Sequence, residues 1–298
     1  MTVYTTCTPP RAGLGNKLIP WAHSVIYAKA HGLHRLSSPF TQFALGPTLR
    51  GERDARIYGG QFCRDADAIA GLRAVFYKAS LARLAEPELL SSPPDAATGI
   101  VNFTSLASNF AKLAGHNALI RSALLHITRP PWHPHGTLPT IGIHVRRGDF
   151  ATGKTVGNAT FGGGVQTPLT WYCDVLRGIR QSMGPDVAAF VVSDGHDHEL
   201  AELLGEPNVT RVNRGCAIAD LWALSQARVI LGSGGSSFTG WGSFLGGAPL
   251  AVVPGQSLEW LGFGNHQDAW RGNVDPANAP EFAAFCDVVK RAVNVAPQ

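Results

Sequence analysis

The sequence predicts an α/β protein built on parallel sheets, and three observations carry that prediction. From residue 141 to 253, short apolar runs alternate with helix-like stretches, the pattern of a parallel sheet covered by helices on both faces. A proline-dense segment, Arg129-Pro130-Pro131-Trp132-His133-Pro134-His135-Gly136, separates this half from a first half of different texture. The chain has 298 residues, enough for one large domain or two ordinary ones.

The first half opens on Pro9-Pro10-Arg11-Ala12-Gly13-Leu14-Gly15-Asn16, and an apolar, helical stretch runs from Leu18 to His31. A less regular region with Pro, Gly and Ser punctuation follows. Next come a strand from Gly99 to Phe103 and a helix from Ser105 to Ile127. The proline segment is expected to be an interdomain linker, because its prolines lack donors for a helix or a central strand.

The second half is expected to alternate as strand Ile141 to Val145, helix Thr170 to Met183, strand Ala188 to Val192 and helix Asp197 to Leu204. A short strand Val209 to Val212, helix Ala219 to Ala227, strand Arg228 to Leu231, helix Phe238 to Leu245 and strand Leu250 to Val253 complete it. Glu281 to Val293 reads as a closing helix, with Phe282, Phe285, Val288 and Val289 on one face. The expected boundaries are 1–138, 139–275 and a C-terminal helix and tail, 276–298.

Bulk composition narrows the classes. Hydrophobic content of 45% and mean hydropathy of +0.03 fit a soluble globular protein. The formal charge is +4 with no Lys/Arg block, too mild for a nucleic-acid footprint and compatible with anionic small molecules. Cys7, Cys63, Cys173, Cys216 and Cys286 form no Cys-x-x-Cys pair, so reduced thiols in a cytoplasmic protein are expected. The N-terminus has no signal-peptide pattern, and no apolar run is long enough for an integral membrane segment.

The most informative stretch is Ile141-Gly142-Ile143-His144-Val145-Arg146-Arg147-Gly148-Asp149. An apolar strand ends in a histidine, two arginines, a glycine and an aspartate. Such a strand carries Arg146 and Arg147 to the rim of a sheet, where open α/β folds bind ligands. Paired guanidinium groups there suit a phosphate or diphosphate. The stretch from Phe150 to Thr167, rich in Gly, Thr and Asn, lies where substrate contacts or a lid are expected; a tolerated surface insertion explains it equally.

Two glycine loops precede helices. Gly13-Leu14-Gly15-Asn16 brings backbone N–H groups and an amide to a helix start, although a plain strand-to-helix turn has the same composition. Gly232-Ser233-Gly234-Gly235-Ser236-Ser237 combines flexibility, hydroxyls and a helix N-terminus, a better anion cradle. Asp220 either caps its helix or aims a carboxylate at a base or sugar edge. Asp194, His196 and His198 read as a strand end entering a helix rather than a metal set, and Asp65-Ala66-Asp67 as a charged turn. Trp132, Trp171, Trp241, Trp260 and Trp270 read as core before sugar-stacking platforms.

Taken together, these segments resemble the α-1,2-fucosyltransferase family (glycosyltransferase family 11), with more distant kinship to α-1,6- and protein O-fucosyltransferases. Gly13-Leu14-Gly15-Asn16-Lys17-Leu18 is similar to the family's Gly-Asn-Gln loop, with Lys17 where Gln is usual. His144-Val145-Arg146-Arg147-Gly148-Asp149 resembles its His-x-Arg-Arg-x-Asp motif. Ser193-Asp194 resembles the middle motif, and Asp220 to Ala227 with Ser236-Ser237-Phe238 and Trp241 the last.

The resemblance implies a GT-B-like fold, two Rossmann-type domains facing across a cleft with the first on the acceptor side. It implies GDP-fucose as donor, a glycan acceptor, inversion at the anomeric carbon and no required metal or other cofactor. Without a metal, arginines must supply the positive charge for the leaving diphosphate, and Arg146 is the position expected to do so. Arg147 supports it; His144 orients the strand end or touches the nucleotide; Asp194 and Asp220 serve the guanine and ribose side. Ser236 and Ser237 hold phosphate oxygens, and Asn16 reaches the phosphate or fucose from the opposite domain. The α-1,6 relatives carry a glutamate shortly after the Arg pair, whereas no glutamate occurs here between Arg147 and Gly195. Asp149 is the nearest carboxylate and the candidate base. A base from the first domain, or none, stays open, as do another nucleotide-diphosphate sugar and a catalytically silent nucleotide- or glycan-binding protein.

Overall fold

The computed structural model describes residues 2–38, 40, 57–107, 109–148, 150, 164–256, 258, 262 and 270–294. The chain divides into two compact units, Met1–His133 and Pro134–Gln298. The segment expected as a linker holds a short 3-10 turn, Pro130–Trp132, which tolerates its prolines because they occupy the first positions, where no N–H donor is needed.

The first unit is a parallel sheet of order β3-β2-β1-β5-β4, with helices α1 to α3 between its strands and after them. Its elements are β1 (Thr2–Cys7), α1 (Leu14–His31), β2 (His34–Leu36), β3 (Ala68–Ile69), α2 (Gly71–Ser80), β4 (Arg83–Leu84), β5 (Thr98–Phe103) and α3 (Asn117–Ile127). β1 is buried from Val3 onward, as a central strand covered on both faces must be, and β-branched residues suit it. Helix α1 starts four residues before the expected Leu18, capped at Gly13. Its Pro20 has no N–H, so the Asn16 carbonyl lacks its helical donor. The helix expected from Ser105 begins only at Asn117, because Gly115 takes φ 76°, outside the helical region. β1 and α2 were not anticipated from sequence.

The second unit is a parallel sheet of order β11-β10-β9-β6-β7-β8. In chain order it comprises β6 (Ile141–Val145), α4 (Leu169–Met183), β7 (Ala189–Ser193), α5 (Ala201–Leu204), β8 (Val209–Arg211), α6 (Ala217–Leu224), β9 (Val229–Gly232), α7 (Ser237–Gly246), β10 (Leu250–Val252), β11 (Arg271–Asn273) and α8 (Ala279–Asn294). The alternation read from sequence holds throughout, with ends shifted by no more than three residues except at α5, where Asp197–Leu200 is a 3-10 turn, and with β11 added. Ile141, Ile143 and Val145 of β6 join Val175, Leu176 and Ile179 of α4 in one core. Phe285 and Val289 of α8 complete it, so the closing helix packs on this unit. At Gly142 a Cβ would stand 2.7 Å from Ala227 Cβ, so glycine allows that close approach to the sheet.

Candidate functional site

The topology locates the site. From β6 the chain adds β7 and β8 on one side, then returns to add β9, β10 and β11 on the other. The order therefore reverses between β6 and β9, and ligands of open α/β sheets bind beyond the carboxyl ends of strands at such a switch point. Parallel register sets Val145 opposite Ser193 and His144 opposite Gly232. The next residues along, Arg146, Asp194 and Ser233, thus leave the sheet side by side.

Ser233 is the buried hub of this tip. Its N–H donates to the His144 carbonyl at 3.0 Å, and its Oγ accepts the Arg146 N–H at 2.9 Å. Tyr172 of α4 lies 2.9 Å from the same Oγ and donates to the His144 carbonyl at 3.1 Å. Burial pushes the Tyr172 phenol up to about 12, so it stays protonated.

Asp194 clamps the arginine pair. One carboxylate oxygen meets the Arg146 guanidinium at 2.7 Å and the other accepts the Arg147 N–H at 2.8 Å. A Cβ at Gly148 would lie 2.4 Å from Asp194 Oδ2, so only glycine lets this turn close on the carboxylate. The Arg146 guanidinium also stands 5.8 Å above the Phe150 ring. Arg147 turns the other way, donating to Gln166 Oε1 at 2.8 Å, while Gln166 returns a bond to the Arg147 carbonyl. Arg147 thereby fastens the segment entering α4; its buried Nε has no partner among the described residues.

His144 is buried, and desolvation, followed by repulsion from Arg146, lowers it to about 3. Its ring stacks on Phe238 at 4.9 Å, and Nδ1 lies 2.6 Å from Thr239 Oγ1. The Thr239 hydroxyl gives its one proton to the Ser233 carbonyl, so Nδ1 of the neutral ring carries the other. This histidine ties the tip of β6 to the first turn of α7.

That turn follows Gly232 to Ser236. Ser236 is the N-cap of α7, and its hydroxyl makes no capping bond. The first N–H groups of α7 have no intrahelical acceptor and carry the positive end of the helix dipole. Gln256 braces the loop, accepting the Gly234 N–H and the Thr167 hydroxyl at 2.8 Å each. Ser237 is the first helical residue.

The other expected residues are placed as follows. Asp220 is not a helix cap: Cys216 is the N-cap of α6, and Asp220, buried in the helix's first turn, accepts the Arg214 N–H at 2.6 Å. It shapes the loop after β8. Asn16 lies in the first turn of α1, its Oδ1 buried and without a partner among the described residues. The neighbouring Lys17 is buried and donates to the Pro10 carbonyl at 3.0 Å. Asp65 pairs with Arg35 at 2.6 Å and accepts the Asp67 N–H, a turn held by an ion pair. His196 and His198 stack on each other at 5.6 Å, and Glu199 accepts the His196 N–H. Among the described residues no cluster of His, Cys, Asp or Glu is arranged to hold a metal. Trp171 and Trp241 are buried in the core. Asp149, Trp260 and most of the stretch after Phe150 lie outside the described residues.

A cavity of about 230 Å³ in the first unit opens beside the carboxyl ends of β1 and β2, lined by Cys7, Ser38, Arg35 and Asp65 among others. Ser233, Thr239, Tyr172 and Gln256 hold the candidate site yet were not singled out from sequence. Ser233 stood in a recognised loop, but Tyr172 and Gln256 come from positions where only the fold reveals a polar role.

No protein-family model matches the chain, and no curated protein sequence does. Solved structures do. NodZ α-1,6-fucosyltransferase soaked with GDP-fucose superposes with a TM-score of 0.52 at 15% identity, covering 84% of this chain and 94% of that one. NodZ co-crystallised with GDP gives 0.53 with the same identity and coverage. The selenomethionine form of NodZ from Bradyrhizobium gives 0.50 at 14% identity, over 86% of this chain and 95% of the other. The likeness establishes a GT-B-like fold built of Rossmann-type units.

Proposed function

We propose that this protein is an inverting glycosyltransferase that moves fucose from GDP-fucose to a sugar hydroxyl without a required metal. The observation that carries the reading is the juxtaposition at the β6/β9 switch point. There Arg146, its guanidinium paired with Asp194 and its backbone N–H bonded to Ser233, follows a strand whose neighbour leads into a Gly/Ser loop and an uncapped helix N-terminus. Both are anion-binding elements of the kind a diphosphate needs. NodZ, of the same fold, has been soaked with GDP-fucose and co-crystallised with GDP, which supports the choice of donor.

In the proposed reaction the acceptor oxygen bonds to the anomeric carbon on the face opposite the diphosphate. The bond to the diphosphate oxygen breaks with its electron pair, and GDP leaves. Arg146 meets that developing charge, while the N–H groups and hydroxyls at Ser236 and Ser237 bind phosphate oxygens. Asp194 positions Arg146, and Arg147 holds the adjoining segment. His144, neutral and tied to Thr239, is assigned to the strand tip rather than to proton transfer. Asp220 shapes the loop assigned to the guanine side, and Asn16 retains a donor contact. Asp149 is assigned the acceptor proton. The α-1,2 linkage follows the motif resemblance, and a cytoplasmic setting follows the unpaired cysteines.

The test is a donor panel. GDP-fucose, GDP-mannose, UDP-galactose and dTDP-rhamnose are incubated with a glycan array in EDTA, and nucleotide release is measured. Release with transfer from GDP-fucose alone is expected. Strict dependence on added Mn²⁺ contradicts the metal-free reading, and preference for another donor replaces fucose. GDP binding with neither hydrolysis nor transfer identifies a silent binding protein.

A further inference from the structure

Helix α2 has its larger apolar side chains on the outside. Its inner face is Ala74, buried, with Tyr77 and Lys78 half-buried. Tyr77 stacks on Tyr4 of β1 at 4.7 Å, and Lys78 Nζ donates to the Ser37 carbonyl at 2.7 Å. The outer face carries Leu72, Val75 and Phe76, which are 89%, 63% and 65% exposed. Their spacing is i, i+3, i+4, and exposed Ala79 extends the line to i+7. A surface helix ordinarily turns such a stripe to the core. Single exposed leucines need no explanation, but a continuous stripe with a phenylalanine marks an interaction surface.

The charges around the stripe indicate what it meets. Between Asp67 and Glu86 the sequence has Arg73, Lys78 and Arg83 and no carboxylate. Arg73 and Arg83 are exposed, and both rest against the helix. Arg73 Nε donates to Tyr77 Oη at 3.2 Å with its guanidinium 5.6 Å above that ring, and Arg83 donates to the Lys78 carbonyl at 3.3 Å. The apolar stripe is thus flanked by guanidinium groups held in place.

We propose that α2 docks on an anionic lipid surface. Leu72, Val75 and Phe76 enter the boundary between headgroups and acyl chains, and Arg73 and Arg83 meet lipid phosphates. A second copy is the poorer partner. Pairing α2 with itself brings four arginines together without a carboxylate from the helix, and one ten-residue helix covers far less than the roughly 800 Å² per partner of a stable dimer. This surface belongs to the first unit alone, and the inference does not depend on the transferase reading.

The test is co-sedimentation of the full chain with phosphatidylglycerol/phosphatidylcholine vesicles and with pure phosphatidylcholine, read without donor or acceptor. Binding to the anionic vesicles only is expected. Leu72→Ser/Phe76→Ser lowers the partition coefficient about tenfold or more. Arg73→Gln/Arg83→Gln lowers it by about 25-fold, about fivefold for each arginine. Both double variants keep the wild-type melting temperature, because the four side chains are exposed. The inference is overturned by no binding to anionic vesicles, by equal partition of wild type and variants, or by lipid-free self-association that Leu72→Ser/Phe76→Ser abolishes.

Discussion

The two parallel sheets differ in topology and in what they carry at their strand ends. In the second unit the strand order reverses between β6 and β9, whereas in the first the chain crosses from β3 to the far edge at β4 and steps back to β5 beside β1. Past β1 the polar groups are largely turned inward: Lys17 holds the Pro10 carbonyl, and Ser38 donates to the Cys7 carbonyl at 2.7 Å. Past β6 they converge on a tip with two arginines, a carboxylate that orients them and a helix N-terminus. The glycines differ in the same sense. A Cβ at Gly13 meets nothing within 4 Å, whereas one at Gly232 stands 2.1 Å from Thr239 Cγ2. Topology supplies a switch point in the second unit, and the residue chemistry at its strand ends makes that place suit an anion.

The largest expected effect is on turnover. Arg146→Ala should lower fucosyl transfer by about 100-fold or more while leaving the melting temperature near that of wild type, since its partner Asp194 keeps water contact. Near-normal turnover removes Arg146 from the proposed chemistry. A backbone contrast comes next. Gly232→Ala should cost about 1–3 kcal/mol of stability through overpacking and weaken GDP binding by displacing Thr239 from His144. Gly13→Ala should be nearly neutral in thermal melts, so equal losses in the two variants would erase the distinction between the loops.

A third effect is shared by both units and shows only on acidification. Burial, as the largest cause, lowers His23 of α1 to about 4 and His144 to about 3, from an ordinary value of 6.5. Between those values and 6.5 the unfolded chain binds protons that the folded chain does not, so stability rises with pH there. The contribution is intact above pH 6.5 and is lost as pH falls toward 3, at about 1.4 kcal/mol per pH unit for each histidine. His144→Gln should remove about one proton from the linkage measured between pH 4.5 and 6. An unchanged slope means that His144 is not buried in its neutral form.

Much of this was legible beforehand. The second unit's alternation was readable because parallel strands buried on both faces are continuous apolar runs, as Ile141 to Val145 and Val229 to Leu231 are. Arg146 and the Gly232 loop stood out because charge and glycine are conspicuous beside such runs. The first unit was harder. α2 hides its register because Leu72, Val75 and Phe76 face outward, against the usual rule, and β1 lies at the very start of the chain. Of the two roles open to Asp220, a cap or a carboxylate for a ligand edge, the cap is excluded by a bond to the Arg214 N–H that depends on the path of the loop after β8. Ser233 and Tyr172 act through partners 28 or more residues away in sequence, which no local pattern encodes.

The measurement that bears most directly on the central claim is a crystal structure of the full chain with GDP. The diphosphate is expected beyond the carboxyl ends of β6 and β9, within hydrogen-bond reach of the Arg146 guanidinium and of the N–H groups or hydroxyls at Ser236 and Ser237. GDP bound elsewhere in the second unit, with the Arg146 guanidinium out of reach of the diphosphate, would contradict it.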